Sequence, residues 1–346
     1  MHKLIIIGPR FNTTDSQIVG GSIVLFEELI FQLKQQNIPY VPIDTNKLNY
    51  KNSLLAYISI TYQLICHLKG ADHISLHSSR DYQILTPLLI LFGKVFKKTT
   101  SLRKFGGEAK ENFMRANFIK KYYLTLIFSH INFLFFETKY LVSFFSHINN
   151  NTFWFPNVRN RTIEPTLPRK FNKKFVFISH IIKEKGIDEI IEASRELDES
   201  YTIDLYGPLL KGHYTEDDLQ GECISYKGVL PINQVLPTLN KYDVVLLPSY
   251  KEGYPGIIIE AYSLGIPVIA TNLQSICEIV DSHKTGVLIE PKNSSQLLKA
   301  IKYFNEKNYV ESSQHAYDKF DTFKSEHVVK SFIATIIMLR KNRRYQ

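Results

Sequence analysis

Short runs of apolar residues alternate with longer segments of helical periodicity along most of the chain. The apolar runs indicate buried strands, and the periodic segments indicate helices that cover a sheet. Because strands that alternate with helices form βαβ units, the pattern predicts an α/β protein with two doubly wound parallel sheets. The predicted strands are 3–8, 40–44, 73–77, 99–102, 132–136 and 152–155 in a first set, and 175–179, 202–207, 223–227, 243–248, 267–270 and 287–290 in a second.

A polar segment with two prolines, at 157–170, separates the two sets of strands. This composition is typical of a linker between domains. The predicted organisation is an N-terminal Rossmann-like domain over 1–160, a linker over 161–173, a C-terminal Rossmann-like domain over 174–324 and a C-terminal helix over 325–346.

The composition fits a globular protein with two domains: 346 residues, of which 44% are apolar and 22% are charged. Cys66, Cys223 and Cys277 form no C-x-x-C pair, so neither a disulfide framework nor a zinc site is predicted. The first apolar run is too short for an export signal, and no run reaches the ~18 apolar residues of a membrane span. We therefore expect a cytoplasmic protein.

The net charge of +9 is concentrated in the first half of the chain. Residues 1–157 contain 17 Lys and Arg against 9 Asp and Glu, whereas residues 158–346 contain 25 against 24. A basic half suits a nucleic acid, an anionic membrane or simply a solvated face. No nucleic-acid recognition motif is present, so we expect no nucleic acid as a partner.

Two glutamates eight positions apart, Glu252 and Glu260, flank a Gly-Tyr-Pro-Gly loop that follows the predicted strand 243–248. The glycines allow a tight turn, and Pro255 suits the first turn of a helix. The N–H groups at the start of that helix would bind a phosphate. One carboxylate would then face a sugar and the other a ribose, although an ordinary strand–helix connection has the same spacing.

The longer passage resembles the Glu-x7-Glu block of the retaining glycosyltransferases of family 4 (glycosyl transferases group 1), including its small-residue helix and the strand that begins Gly265-Ile-Pro-Val268. The resemblance implies a GT-B fold, in which two Rossmann-like domains face each other across a cleft and the last helix crosses back to the first domain. It also implies a bacterial enzyme of surface-polysaccharide assembly, such as O-antigen or other lipopolysaccharide, capsule or exopolysaccharide.

A second passage, 175–188, resembles the family's strand, Gly-Arg and Lys-Gly pattern, in which the cations neutralise the donor's diphosphate. Lys185 and Gly186 match that pattern. His180 stands where the family has its arginine, which is a departure, because histidine is neutral or charged near pH 7 depending on its surroundings. Diphosphate binding would then depend more on Lys185 and on the helix that begins at Gly256.

The resemblance assigns roles to individual residues. Glu252, Lys185 and Glu260 are the expected catalytic set, with Glu252 on the donor sugar's hydroxyls and Glu260 on the ribose. The expected donor-binding residues are Gly20, Gly21, His180, Lys185, Gly207, Val229, Gly253, Tyr254, Pro255, Gly256, Ile257 and Glu260. At the first domain's side of the cleft, the residues expected to meet the acceptor are His77, Arg103, Lys104, Gly106 and Gly107.

The implied reaction is front-face transfer from a UDP- or GDP-sugar to a lipid-linked saccharide, at the inner, anionic face of the membrane. No cofactor is expected. The absence of an Asp-x-Asp triplet favours a mechanism without metal, in which cations and helix N–H groups stabilise the diphosphate. Rival hypotheses are a glycosidase that uses the two carboxylates, a nucleotide-sugar epimerase, and a non-catalytic nucleotide-sugar-binding scaffold of a polysaccharide assembly complex.

Overall fold

The computed structural model describes residues 3–12 and 20–343. The chain divides into two compact units. Unit 1 consists of Met1–Val158 and Ser325–Gln346, and unit 2 consists of Arg159–Lys324. The segment predicted as a linker therefore lies inside unit 2, where Arg169 donates hydrogen bonds to the carbonyls of Asn240 and Tyr242 at 3.0 and 2.8 Å.

Unit 1 is built on a six-stranded parallel sheet of order β2-β1-β3-β4-β5-β6. The chain passes from β1 to β2 on one side and then crosses back to β3 on the other side of β1. Each later strand is added next to the preceding one, on the side of β3. Its strands are β1 (Leu4–Gly8), β2 (Tyr40–Asp44), β3 (His73–Ser78), β4 (Thr99–Lys104), β5 (Phe133–Phe136) and β6 (Thr152–Trp154).

Helices cover both faces of this sheet, because successive residues of a strand point to opposite faces. Ile5 and Ile7 belong to the core shared with α2 to α6, whereas Leu4 and Ile6 belong to the core shared with α1 and α13. The helices of unit 1 are α1 (Gly21–Gln35), α2 (Ser53–Leu68), α3 (Tyr82–Val95), α4 (Ala109–Met114), α5 (Phe118–His130), α6 (Lys139–Phe145) and, from the end of the chain, α13 (Ser325–Arg343).

Unit 2 repeats the architecture with the order β12-β11-β10-β7-β8-β9, again all parallel. Its first strand, β7, lies inside the sheet with β8 on one side and β10 on the other. The strands are β7 (Lys174–Ile178), β8 (Thr202–Tyr206), β9 (Ile224–Tyr226), β10 (Val244–Leu247), β11 (Val268–Thr271) and β12 (Gly286–Ile289).

The α-helices of unit 2 follow β7, β9, β10, β11 and β12, whereas β8 and β9 are joined through a 3-10 turn, Asp217–Leu219. Another 3-10 turn, Lys183–Lys185, precedes the first of these helices. They are α7 (Ile187–Ser194), α8 (Val235–Leu239), α9 (Gly256–Ser263), α10 (Gln274–Cys277), α11 (Ser294–Tyr303) and α12 (Glu306–Lys319).

The prediction of two doubly wound parallel sheets is confirmed, and each of the twelve predicted strands corresponds to a strand of the structure. The C-terminal helix packs in unit 1 beside α1, where Gln32 donates to Ser325 Oγ at 3.0 Å. Between β1 and α1 the sequence is polar over 10–17, and residues 13–19 lie outside the described residues. Within the described chain, no helix is both long enough and apolar enough to cross a membrane.

Candidate functional site

The middle of the unit 2 sheet is a topological switch point. Strands β7 and β10 are neighbours, paired at Phe175–Val244 and Val176–Val245, and the chain leaves them in opposite directions across the sheet. In open α/β sheets, ligands bind beyond the carboxyl ends of such strands. The loops that follow β7 and β10 are therefore the first place to look for a site.

Gly186 determines how closely these two loops approach. It has a φ of 78°, and a Cβ atom at this position would lie 2.2 Å from the carbonyl oxygen of Pro248. Only glycine fits both the left-handed backbone and the close approach. The backbone N–H of Tyr250 donates to the carbonyl of Glu184 at 2.8 Å and fastens the β10 loop to the 3-10 turn.

This approach brings Lys185 and Glu252 together. Lys185 Nζ lies 2.6 Å from Glu252 Oε1, and the two side chains are 20% and 12% exposed. The Glu252 carbonyl also accepts a hydrogen bond from Ser275 Oγ at 3.0 Å. A partly buried ion pair retains atoms that solvent and ligands reach, and removing one partner leaves the other charge uncompensated. Two residues that the sequence assigns to separate parts of the donor, Lys185 and Glu252, are thus in contact in the structure.

The second glutamate lies one turn into α9. Pro255 occupies the N-cap position of this helix, and Gly256 is its first residue. Because Gly256 and Glu260 are four residues apart, they share one face of α9. Glu260 Oε1 accepts a hydrogen bond from Arg159 Nε at 2.6 Å.

Arg159 covers that face of α9. Its Nη2 atom lies 2.2 Å from the position that a Cβ on Gly256 would take, so the glycine makes room for the guanidinium. The backbone N–H of Arg159 donates to the carbonyl of Phe323 at 3.1 Å, which anchors the residue in unit 2. A positive group therefore lies at the N-terminal turn of α9, where the helix dipole also favours an anion.

Gly207 brings the ends of β7 and β8 together in the same way. With a φ of 149°, its Cβ would lie 1.7 Å from the carbonyl oxygen of Ser179. The N–H of Gly207 donates to the carbonyl of Gly228 at 2.9 Å, next to the exposed side chain of Val229. His180 is exposed beside this junction. These predicted donor contacts thus lie on loops at one edge of the sheet.

The loop between the glutamates presents backbone more than side chains. Tyr254 is buried, and its ring packs edge-on against Phe323 with centroids 6.3 Å apart. Pro255 is buried as well, whereas Gly253, Gly256 and Ile257 are half-buried. A contact from Tyr254 to a donor would therefore involve its main chain.

The acceptor residues predicted in unit 1 require a correction, because His77 and Arg103 are completely buried. His77 packs against the rings of Phe26, Phe105, Phe155 and Phe332, with centroids 5.7 to 6.4 Å away. In this arrangement it presents no atom to a ligand.

Arg103 pairs with His77 across β4 and β3, and it is also an interior residue. Its Nη2 donates to the carbonyl of Pro156 at 2.8 Å, and its guanidinium carbon lies 3.6 Å from the ring centroid of Phe155. Burial lowers the pKa of Arg103 to about 9. The guanidinium thus holds together the strand ends of unit 1 rather than facing an acceptor.

Lys104 and Glu137 form a second buried group at this edge, next to the half-buried Gly106. The N–H of Gly106, which has a φ of 94°, donates to Glu137 Oε2 at 2.9 Å. Burial raises the pKa of the Glu137 carboxyl and lowers the pKa of Lys104 to about 8, with Glu137 opposing the latter shift. Lys104 donates to the carbonyl of Phe105, so it too is turned inward. Gly107 follows in the turn after β4, where it is half-buried.

Gly20 and Gly21 begin α1 in exposed positions. Gly20 is the N-cap, and its carbonyl accepts hydrogen bonds from Ile23 and Val24. No described atom lies within 4 Å of a Cβ built at either glycine.

The burial of His77 predicts a dependence of stability on pH. Desolvation, with smaller contributions from the charges of Arg103 and His73, keeps the pKa of folded His77 well below 6.5. The unfolded chain then binds an extra proton below pH 6.5, so the free energy of unfolding falls as the pH drops, by up to about 1.4 kcal/mol per pH unit. His77→Gln is expected to flatten this slope in denaturant titrations at pH 5 to 7, relative to wild type.

His213→Gln, at an exposed position, is the matched control and should retain the wild-type slope. Equal slopes for wild type and His77→Gln would contradict the interior, neutral state of His77.

The sequence gives no local indication of the role of Arg159. It stands in the polar stretch at 157–170, and its contact with Glu260 joins residues 101 positions apart. The sequence feature that pointed to another cation was His180, which stands where the family has its arginine.

Residues 158–319 match the family model described as Glycosyl transferases group 1. The match covers nearly all of unit 2, and the two parallel sheets with their helices have the architecture of a GT-B fold.

Two relatives come from bacteria. TuaC of Bacillus subtilis, named as a teichuronic acid biosynthesis glycosyltransferase, is 31% identical over 152 residues, which are 44% of this chain and 37% of TuaC. The amylovoran biosynthesis glycosyltransferase AmsK of Erwinia amylovora is 31% identical over 169 residues, which are 42% of this chain and 40% of AmsK. The matches thus span about two fifths of each relative's length.

Among solved structures, that of Anabaena HepE in complex with UDP is similar to this chain. It superposes with a TM-score of 0.71 at 14% identity and covers 98% of this chain and 100% of that one. At this identity the similarity concerns the fold.

Proposed function

We propose that the chain is a retaining glycosyltransferase, which moves a sugar from a nucleoside diphosphate sugar to a hydroxyl of a saccharide during the assembly of a bacterial surface polysaccharide. The observation that carries the proposal is the Lys185–Glu252 pair at the switch point of unit 2, next to the helix N-terminus that Arg159 and Glu260 flank. Relatives named for teichuronic acid and amylovoran biosynthesis support the polysaccharide setting.

In the proposed donor complex, the diphosphate lies at the N-terminus of α9. Lys185 and Arg159 would turn from their carboxylates toward the phosphate oxygens, because both already lie at this edge. The freed Glu252 would accept hydrogen bonds from the donor sugar, and the freed Glu260 would accept them from the ribose hydroxyls. Each ion pair in the ligand-free chain thus holds a cation and an acceptor ready for separate parts of one ligand.

The proposed chemistry follows from this charge arrangement. As the bond from the sugar to the diphosphate breaks, negative charge grows on the leaving oxygen, and fixed cations and N–H groups stabilise it. The acceptor hydroxyl attacks the same face of the sugar and gives its proton to the leaving phosphate oxygen, so the sugar retains its configuration. The proposed mechanism uses no metal and no protein nucleophile.

UDP is the first donor nucleotide to test, because the similar HepE structure contains it. The acceptor is proposed to be a lipid-linked saccharide at the inner face of the cytoplasmic membrane, with the protein peripheral to that membrane. The basic first half of the chain supports this setting.

The experiment is a transfer assay with UDP-, GDP- and ADP-sugars labelled in the sugar, and bacterial membranes as the acceptor source. We expect label in the lipid-extractable product with one nucleotide class, undiminished by EDTA, and the donor's anomeric configuration in the product by NMR. Loss of transfer with EDTA would contradict the metal-free mechanism, and an inverted linkage would contradict retention. Donor binding with no transfer to any membrane fraction would favour the non-catalytic scaffold.

A further inference from the structure

Large apolar side chains are exposed on one part of unit 1 far more than elsewhere. Among the described residues, 21 large apolar side chains are exposed; 14 of these lie between Leu54 and Leu126, and three lie in unit 2. Contiguous apolar exposure on this scale marks an interaction surface, whereas single exposed apolar residues are ordinary.

These residues lie on neighbouring helices. Helices α2, α3 and α5 connect β2 to β3, β3 to β4 and β4 to β5, and their inner residues share one core on the same face of the sheet. Their outer sides therefore face the same way. We call this outer side the helix face; its main exposed residues are Leu54, Ile58, Tyr62, Ile65, Ile84, Leu91, Val95, Phe118, Ile119, Tyr122 and Leu126.

The spacing shows that these side chains form stripes. On α2, Ile58, Tyr62 and Ile65 recur every three to four residues and are exposed, while Ile60 and Leu64 between them are buried against the sheet. No Lys, Arg, Asp or Glu occurs anywhere in this helix. A helix that is apolar on both sides is normally covered on both sides.

The charges around the helix face are predominantly positive. Residues 51–130 contain 12 Lys and Arg against 4 Asp and Glu, which is nearly all of the chain's net charge. No acidic residue lies in α2, α3 or α5, and exposed cations lie on or beside them at Lys94, Lys97, Arg115 and Lys120. Arg103 and Lys104 of this segment are buried, and Glu108 and Glu111 are exposed at α4, so the helix face combines large apolar side chains with a net positive charge.

Apolar side chains together with positive charge favour one kind of partner for the helix face over another. A second copy docked through the same face would bring its cations against the cations of the first, which disfavours self-association. An anionic lipid surface offers negative headgroups for the cations and an apolar interior for leucine, isoleucine, tyrosine and phenylalanine.

We propose that the helix face of unit 1 is a docking surface for an anionic lipid bilayer, with its apolar stripes in the headgroup boundary and its lysines on lipid phosphates. The inference rests on the proposed function, since it names the part of the chain that would bring a transferase to a lipid-linked acceptor. It concerns unit 1 residues that have no part in the donor site.

The test is sedimentation of the full chain with vesicles of phosphatidylcholine containing about 30 mol% phosphatidylglycerol, and with pure phosphatidylcholine vesicles. Binding is expected to the anionic vesicles and to fall in about 0.5 M salt. The triple variant Ile58→Ser, Tyr62→Ser and Ile65→Ser is expected to bind at least about 10-fold more weakly. Lys94→Gln with Lys120→Gln is expected to weaken binding to anionic vesicles alone.

The matched control replaces exposed apolar residues of unit 2, Leu210→Ser with Ile232→Ser, and should bind vesicles like the wild type. All variants are checked for unchanged melting and UDP binding, which separates failure of the surface from failure of the proposed function. Equal vesicle binding by the wild type and the α2 triple variant would overturn the proposal. A wild-type dimer that the triple variant converts to a monomer, with no vesicle binding by either, would overturn it in favour of a second copy.

Discussion

Replacing Lys185 with alanine is expected to lower sugar transfer by about 10²- to 10³-fold, the usual effect of removing one preorganised group that stabilises transition-state charge. Lys185 Nζ lies 2.6 Å from Glu252 Oε1. The substitution removes the cation for the diphosphate and leaves the Glu252 carboxylate, 12% exposed, with its charge uncompensated beside the site. Both effects act against the same step, which is departure of the nucleoside diphosphate.

The measurement is the rate of UDP release from a UDP-sugar, with membranes or water as the acceptor. Lys183→Ala is the matched control, because Lys183 lies in the same 3-10 turn but is 66% exposed and pairs with Asp188 on the surface. It should change the rate by less than about twofold, since exposed ion pairs contribute little. Similar losses of rate in both variants would show that the loss comes from disturbing the 3-10 turn rather than from removing the Lys185 charge.

Replacing Arg159 with methionine is expected to weaken binding of the nucleoside diphosphate by about 10- to 100-fold, or roughly 1.4 to 2.8 kcal/mol. The reason is that Arg159 lies against Gly256 and pairs with Glu260, at the helix end proposed for the phosphates. In the proposed site, Arg159 takes the place of the arginine that the family has at the position of His180. Methionine keeps most of the side-chain volume and removes the charge.

Titration of UDP and of uridine distinguishes the possible roles of Arg159. A phosphate-binding role predicts a loss of UDP affinity with little change for uridine, and partial recovery when His180→Arg is added to the variant. Arg161→Met is the control, because Arg161 lies two residues on and stacks on Tyr317, with a guanidinium-to-ring distance of 3.7 Å. Tighter UDP binding by Arg159→Met would mean that Arg159 competes with the ribose for Glu260, which contradicts the proposal.

The strands and their parallel orientation were predictable from the sequence, because strands buried on both faces appear as continuous apolar runs. The same property explains the error at His77 and Arg103. A strand buried on both faces shows no polar alternation, so the sequence does not reveal which way a residue at its end points. Here His77 and Arg103 pair across β3 and β4 and turn into the core.

Candidate site residues could be named from the sequence where the pattern that marks them is local. Lys185 and Glu252 lie in the connections that follow β7 and β10, and Glu260 lies one turn into α9, so each belongs to a continuous strand–loop–helix piece of sequence. Arg159 depends instead on how the polar stretch between the two sets of strands folds back on unit 2, which is a property of tertiary packing. The helix face shows a different limit of the sequence. Its apolar pattern is local, but an apolar helix covered by lipid and one covered by protein have similar sequence patterns.

The central claim is that unit 2 binds a nucleoside diphosphate between Lys185 and the N-terminus of α9. Calorimetric titration of UDP, GDP and ADP into the wild-type chain and into the double variant Lys185→Ala with Arg159→Met tests it most directly. The account predicts one site per chain for one of the three, with a Kd of about 1 μM to 1 mM, and loss of that binding in the double variant. Binding of none of the three, or equal binding by wild type and double variant, would contradict it.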